Sequence, residues 1–181
     1  SPVALSAYLS ATNQKLLFAR QLLTLADKAK TSSQSGFRDS HQTEAVAQSV
    51  AVQLSQAWHW HLQDVASNYK LAEPGLAVSA DKLVELLAAD GKCPAEATEM
   101  QSLAADTESW AAELLRAQQQ VYQLPVIRKA EMDADRLPMI AVDASAADGA
   151  RLVDWNIERA AYWMNQLQEL VTRQRDMMVE F

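Results

Sequence analysis

The stretch AWHWHLQDVASNY, residues 57–69, holds two of the chain's three histidines, one residue apart and interleaved with tryptophans. In a strand, alternate residues share a face, and two imidazoles so placed could hold one metal ion. In a helix each residue advances about 100°, so His59 and His61 stand about 200° apart and cannot share an ion. The residues around them decide between the two. Val46, Val50, Leu54, Ala57 with Trp58, His61 with Leu62, Val65 and Tyr69 recur at three- and four-residue steps, the period of a helix with one buried face. The helix reading puts His61 on the apolar stripe beside Trp58 and Leu62, and His59 on the polar side with Val52 and Gln63. No metal site is therefore expected. His61 reads as a core-edge histidine with one hydrogen bond. The sharper reading makes Trp58 and His61, with Trp155 and Trp163 of the last helix, the walls of a pocket for a small apolar or aromatic molecule.

Other chemistries lack their residues. A carboxylate-bridged metal bundle needs Glu three positions before His, and the residues three before His41, His59 and His61 are Arg38, Gln56 and Trp58. The chain has no Gly-x-x-x-x-Gly-Lys, Gly-x-Gly-x-x-Gly, His-Glu-x-x-His or Gly-x-Ser-x-Gly motif, which removes the commoner nucleotide, zinc-protease and serine-hydrolase readings. Cys93 is the single cysteine, so no disulfide framework forms within the chain and thiolate-bound zinc is not expected. No cofactor is called for, and catalysis is disfavoured relative to binding.

The elements that must position these residues are helical. With 4 Gly and 5 Pro in 181 residues, little interrupts the Ala, Leu, Gln, Glu, Lys and Arg that lose little side-chain freedom in a helix. Leu5, Tyr8, Thr12, Leu16, Ala19, Leu23 and Ala26 predict a first helix to about Lys30. Small polar residues and Gly36 then break the pattern, and Asp39 or Ser40 caps a second helix that ends before Pro74-Gly75. Ser79 with Asp81 opens a short third helix that Gly91 closes. Pro94 suits the first turn of a fourth, and Asp106 or Thr107 caps a fifth that buries Trp110 and Leu114 and ends before Pro125.

Residues 124–147 carry two apolar clusters, Val126-Ile127 and Met139-Ile140-Ala141-Val142, around the charged centre Arg128–Arg136. This segment is expected to be a long crossover whose apolar ends dock along the bundle. Ser145 with Asp148 then forms a capping box for a last helix whose stripe includes Val153, Trp155, Ile157, Ala160, Trp163, Met164, Leu167 and Val171, as long as the second helix. The fold expected is a single all-α domain, a helical bundle of five or six helices, three of them long. Without a repeat at 34 or 40 residues, a solenoid is not expected.

Charge narrows the partners. The net charge is −7, with eight acidic and two basic side chains in residues 81–113. Nucleic acid needs aligned Lys and Arg to replace counterions, and the basic clusters here are Arg128-Lys129 and Arg173 with Arg175; no nucleic-acid partner is expected. Nor is a membrane partner, since no run approaches roughly 18 apolar residues. The N-terminal SPVALSAYLSATNQK has no basic stretch followed by an apolar block, so a cytoplasmic location is expected. Protein–protein interaction, including self-association through an aromatic face, is the first functional expectation, and the Trp/His pocket the alternative.

Four stretches carry a resemblance: TNQKLLFA near the N-terminus, AVQLSQAWHWHLQDVASNYKL, LAADTESWAAELLRAQQQVYQ with its Glu-Ser-Trp, and the late LPMIAV. In order and spacing they resemble an uncharacterised gamma-proteobacterial family of small proteins of unknown function. The resemblance implies a cytoplasmic bacterial helical protein and no particular activity. It marks Thr12, Asn13, Gln14, Lys15 and Trp110 as family-like positions, whose role could be packing alone. Asn13 and Gln14 read as solvated, or as partners of a buried group or loop backbone.

Overall fold

The computed structural model describes residues 6–32, 39–127, 140–141 and 152–179. Among these, six α-helices follow in order: α1 Ala7–Ser32, α2 Ser40–Asn68, α3 Ala80–Ala89, α4 Ala95–Ala105, α5 Trp110–Val121 and α6 Ile157–Met178. The all-α bundle expected from the sequence is what the chain forms, and its apolar side chains build one connected core.

α1 and α2 make an antiparallel pair. Thr12, Leu16, Ala19, Leu23 and Ala26 are all buried along α1, and Ser6 Oγ, just before α1, donates 2.7 Å to Asp64 Oδ1 near the end of α2. The Asp39 carboxylate caps α2 by accepting from the backbone N–H groups of His41 and Gln42. α2 is the central element, packed against α1, α5, α6 and a 3-10 turn at Pro74–Leu76. Six successive residues, His61 to Ala66, are buried. That is more than one helical face can hide, so the C-terminal half of α2 is covered on every side.

α2 and α3 end in the same way. Beyond α3, Gly91 takes φ +74°, its N–H reaches Ala88 O and that of Lys92 reaches Leu87 O, the paired bonds of a Schellman stop. Beyond α2 the left-handed position is held by Lys70 at φ 61°, with Lys70 N–H on Ser67 O and Leu71 N–H on Ala66 O. The Gly91 closure was legible, whereas Lys70 does a glycine's work.

Two helix starts differ from expectation. α5 is capped by Ser109, whose Oγ accepts from Ala112 N at 3.0 Å, and not by Asp106 or Thr107. Asp106 Oδ1 instead accepts from Glu108 N, which turns the chain before the helix begins. α6 starts at Ile157 behind Asn156, whose Oδ1 accepts from Arg159 N at 2.7 Å. Residues 152–156 are not helical, so Val153 and Trp155 belong to a lead-in and not to the helix stripe. In this lead-in Gln120 Oε1 of α5 accepts the Val153 N–H at 3.0 Å. With 22 residues against 29 in α2, α6 spans about 33 Å against about 44 Å, shorter than expected.

Val126 pairs with Ala141 and Ile127 with Ile140 in a two-residue antiparallel ladder, β1 Val126–Ile127 and β2 Ile140–Ala141. The backbones of the two apolar clusters thus find each other. The charged centre Arg128–Arg136, Met139, Val142 and the Ser145–Asp148 box lie outside the described residues.

Candidate functional site

The Trp/His stretch of α2 divides its side chains between three neighbourhoods. His61 is fully buried, deeper than a core-edge residue. Its Nε2–H donates to Gln174 Oε1 of α6 at 2.8 Å, and its Nδ1 is buried without a partner among the described residues. Burial pushes its pKa below 6.5, against the hydrogen bond to Gln174. Gln174, itself buried, passes the network on: its Nε2 donates to Glu96 O at 3.2 Å and to Glu99 Oε1 at 2.7 Å. Arg173 makes two bonds to Glu99, at 3.0 and 2.8 Å. Burial works against ionisation of Glu99, yet the hydrogen bonds from Arg173 and Gln174 hold its carboxyl below the usual range. Glu96, also buried, accepts from Tyr69 Oη at 2.8 Å. This cluster ties the late turns of α2 and α6 to α4.

Trp163 is also fully buried, but elsewhere. Its Nε1–H donates 2.8 Å to Glu113 Oε1 of α5, the carboxylate that Arg159 grips through both of its oxygens. Trp155 meets the Trp163 ring edge to face, centroids 6.4 Å apart. Gln174 follows Trp163 by 11 residues, about 16 Å along α6, so the helix that carries both sets Trp163 well away from His61's partner. Trp58 packs in a third place, edge to face against Trp110 with centroids 6.1 Å apart. The four residues expected to wall one pocket between the second and last helices are therefore spread over three contacts.

A concave space does open beside one of them. A cavity of about 330 Å³ lies between α2, α3, α4 and α5. Trp58, Val78, Ala104 and Leu115 supply its apolar wall, and Gln56, His59, Asp81, Gln101 and Gln118 its polar one. Ser79 caps α3 at its edge, Oγ accepting from Lys82 N at 3.0 Å. Two polar contacts involve lining residues. Gln101 Nε2 donates to Asp81 Oδ1 at 3.0 Å. Gln63 Nε2 donates to His59 Nε2 at 3.1 Å; since an amide nitrogen only donates, the His59 proton sits on Nδ1. Gln63 also donates to Gly75 O at 3.3 Å, which is why this residue, expected on the wet side, is buried. Gln56 Oε1 is buried with no donor among the described residues.

Sequence reasoning singled out Trp58 and missed Gln56, Asp81 and Gln118. The last three come from different helices and share no spacing that would reveal them. The half-buried partner Glu113 and the buried partner Gln174 were missed too. Each is polar on an otherwise apolar stripe, and that is the signal that could have found them.

The family-like positions near the N-terminus take different places. Thr12 is buried and its Oγ1 donates back to Tyr8 O at 2.8 Å. Asn13 and Gln14 are exposed, and Lys15 Nζ stands 5.5 Å from the Phe18 ring. α1 also carries large apolar groups on its outer side: Leu17, Phe18 and Leu25 are 44%, 41% and 60% exposed.

No helix among the described residues is long and apolar enough to cross a membrane, and no group of three His, Cys, Asp or Glu among them could hold a metal ion. The chain belongs to a family of unknown function, DUF6586, whose pattern matches residues 7–181. No curated protein and no solved structure matches it.

Proposed function

We propose that this member of a family of unknown function is a small-ligand-binding bundle, its site the cavity between α2, α3, α4 and α5. The observation that carries the reading is a concave space of about 330 Å³ whose wall pairs apolar Trp58, Val78, Ala104 and Leu115 with the side chains of Gln56, Gln101 and Gln118. The volume sits at the lower end of the range for ligand pockets, so the ligand is small. The polar wall is mostly amide, and amides orient a ligand by hydrogen bonds without moving protons; binding fits it better than turnover.

The test is a titration of the 15N-labelled protein with indole, tryptamine and indole-3-acetate. At least one should shift the side-chain signals of Trp58, Gln56 or Gln118 saturably, and Ala104→Phe, which fills the space, should abolish the shift while the protein stays folded. Failure of all three probes to move any lining residue would overturn the reading.

A second reading, association with a protein partner, is favoured by the outer side of α1, where Leu17, Phe18 and Leu25 stay partly uncovered. Contiguous exposed apolar groups mark interaction surfaces more often than isolated ones do. Light scattering of the wild type and Phe18→Glu/Leu25→Glu would detect self-association, and its absence at high micromolar concentration would leave only a different protein as partner. A cytoplasmic bacterial setting, and a gamma-proteobacterial one in particular, belongs to the proposal on the strength of the four resembling stretches.

A further inference from the structure

We infer that Gln63 positions the rim of the α2–α5 cavity and that this rim is pH-gated: the cavity holds its ligand while His59 is neutral and gives it up when His59 gains a proton. The inference rests on the cavity being a ligand site and adds how that site is regulated. It comes from three groups in a row: the ring of His59, the amide of Gln63 one turn later on α2, and the carbonyl of Gly75 in the turn that leads to α3.

Gln63 Nε2 reaches His59 Nε2 at 3.1 Å and Gly75 O at 3.3 Å. A carbonyl only accepts, so Gly75 O fixes which end of the amide faces it, and the second hydrogen of the same nitrogen goes to the ring. His59 Nε2 must then present a lone pair. A proton added there sets N–H against N–H. Either the ring turns away, or the amide turns its oxygen to the ring and takes its nitrogen off Gly75 O; in both cases one of the two bonds is lost. Gln63 is buried, and a buried polar group that loses its partner is costly to leave unmatched.

What the relay holds is the edge of the cavity. His59 is itself on the lining, and the chain beyond Gly75 supplies Val78 and Ser79 to it. The bonds from Leu76 N to Glu73 O and from Ala77 N to Pro74 O close within the turn and only shape it, whereas the Gln63 amide ties the turn to α2. Ala77 is buried and Leu76 and Val78 are exposed, so loss of the tie shifts the rim without unfolding it.

Few charges face His59. Among the described residues, Asp81 of α3 is the one carboxylate on the cavity wall, and the parts of α4 and α5 on that wall are amide or apolar. Glu73, at the start of the turn, is exposed. On α2 the ring meets Trp60 edge to face, centroids 4.9 Å apart, and Tyr8 of α1 lies against Trp60 in turn. Asp81 favours the protonated ring, and histidine is the side chain whose charge changes between about pH 5 and 8.

The experiment titrates indole, uncharged throughout this range, into the 15N-labelled wild type, His59→Gln, Gln63→Met and His61→Gln at pH 7.5 and 5.5. The wild type should bind at least about fivefold weaker at the lower pH, since a proton taken up only by the released rim competes with the ligand by up to about tenfold per pH unit. His59→Gln keeps an acceptor and has no proton to gain, and Gln63→Met has no relay; in each the two affinities should agree within about twofold. His61→Gln should keep the wild-type decline. In the ligand-free wild type, the Gly75 and Leu76 amide signals should titrate together with the His59 ring nitrogens, whose shifts at pH 7.5 should be those of the Nδ1–H tautomer. Binding of indole that does not change with pH, a decline that persists in His59→Gln or vanishes in His61→Gln, or turn amides that do not follow the ring would overturn the gate and leave the cavity a ligand site. Binding of indole at neither pH would remove the ligand site and the gate with it.

Discussion

His61 shows what a single buried residue does to the whole. It is held neutral in the interior, with its pKa pushed below 6.5 chiefly by burial, whereas in the unfolded chain it titrates near its ordinary value. Between those two values the unfolded state binds more protons, so stability is complete above about pH 6.5 and declines as pH falls toward the lowered value. Glu99 and Glu113 are also held below their usual value of 4.5, so they add their loss only at lower pH. His61→Gln should therefore flatten the stability profile below about pH 6.5, where the wild type declines. Urea unfolding at three pH values checks this, and parallel slopes in the two proteins would refute it. Trp163 gives a second prediction at this scale. Truncation to Ala removes a fully buried ring and one of the hydrogen bonds to the Glu113 carboxylate, which Arg159 still holds, and should cost about 3–5 kcal/mol. A measured loss below about 1 kcal/mol would mean that the ring contributes little to the packed core.

At the scale of elements, the two helix stops offer a matched pair of experiments. Gly91 and Lys70 hold the same left-handed corner, and a side chain there costs roughly 1–2 kcal/mol. A Cβ added at Gly91 would meet nothing within 4 Å, so Gly91→Ala tests the backbone alone and should destabilise by about 1 kcal/mol. Lys70→Gly should do the reverse and stabilise by a similar amount, provided the bond from Lys92 Nζ to Tyr69 O beside it is undisturbed. Thermal unfolding reads both, and a loss of stability in Lys70→Gly would show that the lysine side chain outweighs the strain. The α6 lead-in argues at the same scale. Apolar spacing alone does not mark the helix start: Asn156 Oδ1 accepts from Arg159 N and the helix begins behind it, while the Val153 N–H goes to Gln120 Oε1 in the lead-in.

For the whole molecule, the order of burial predicts the order of opening. α2 packs against α1, α5 and α6, and residues 61–66 are hidden on all sides; exposing their amides requires most of the bundle to separate. Native-state hydrogen exchange should be slowest along residues 54–66, close to the global unfolding rate, and faster in α3. Slowest exchange in α3 would mean that the short helices, not α2, form the stable unit. The cavity lies on that less buttressed flank, where α3 and α4 cover α2, so a ligand there should slow exchange in α3 most.

The residue order alone was enough to specify which side of each helix faces inward, because that depends on an angle about the helix axis, and angle accumulates locally at about 100° per residue. It placed Leu16, Ala19 and Leu23 of α1 and Leu54, Trp58 and Leu62 of α2 in the core, where they are. It separated His59 from His61, and it read Gly91 as a stop. It could not say which side chain on one helix meets which on another, because that depends on axial register, set by loops and by the packing of the whole bundle. Trp58, His61 and Trp163 all point inward as expected, yet they sit at different heights and meet Trp110, Gln174 and Glu113. The cavity has the same origin: Gln56, Asp81, Gln101 and Gln118 come from four helices, and only their relative register, fixed when the bundle packs, brings them to one wall.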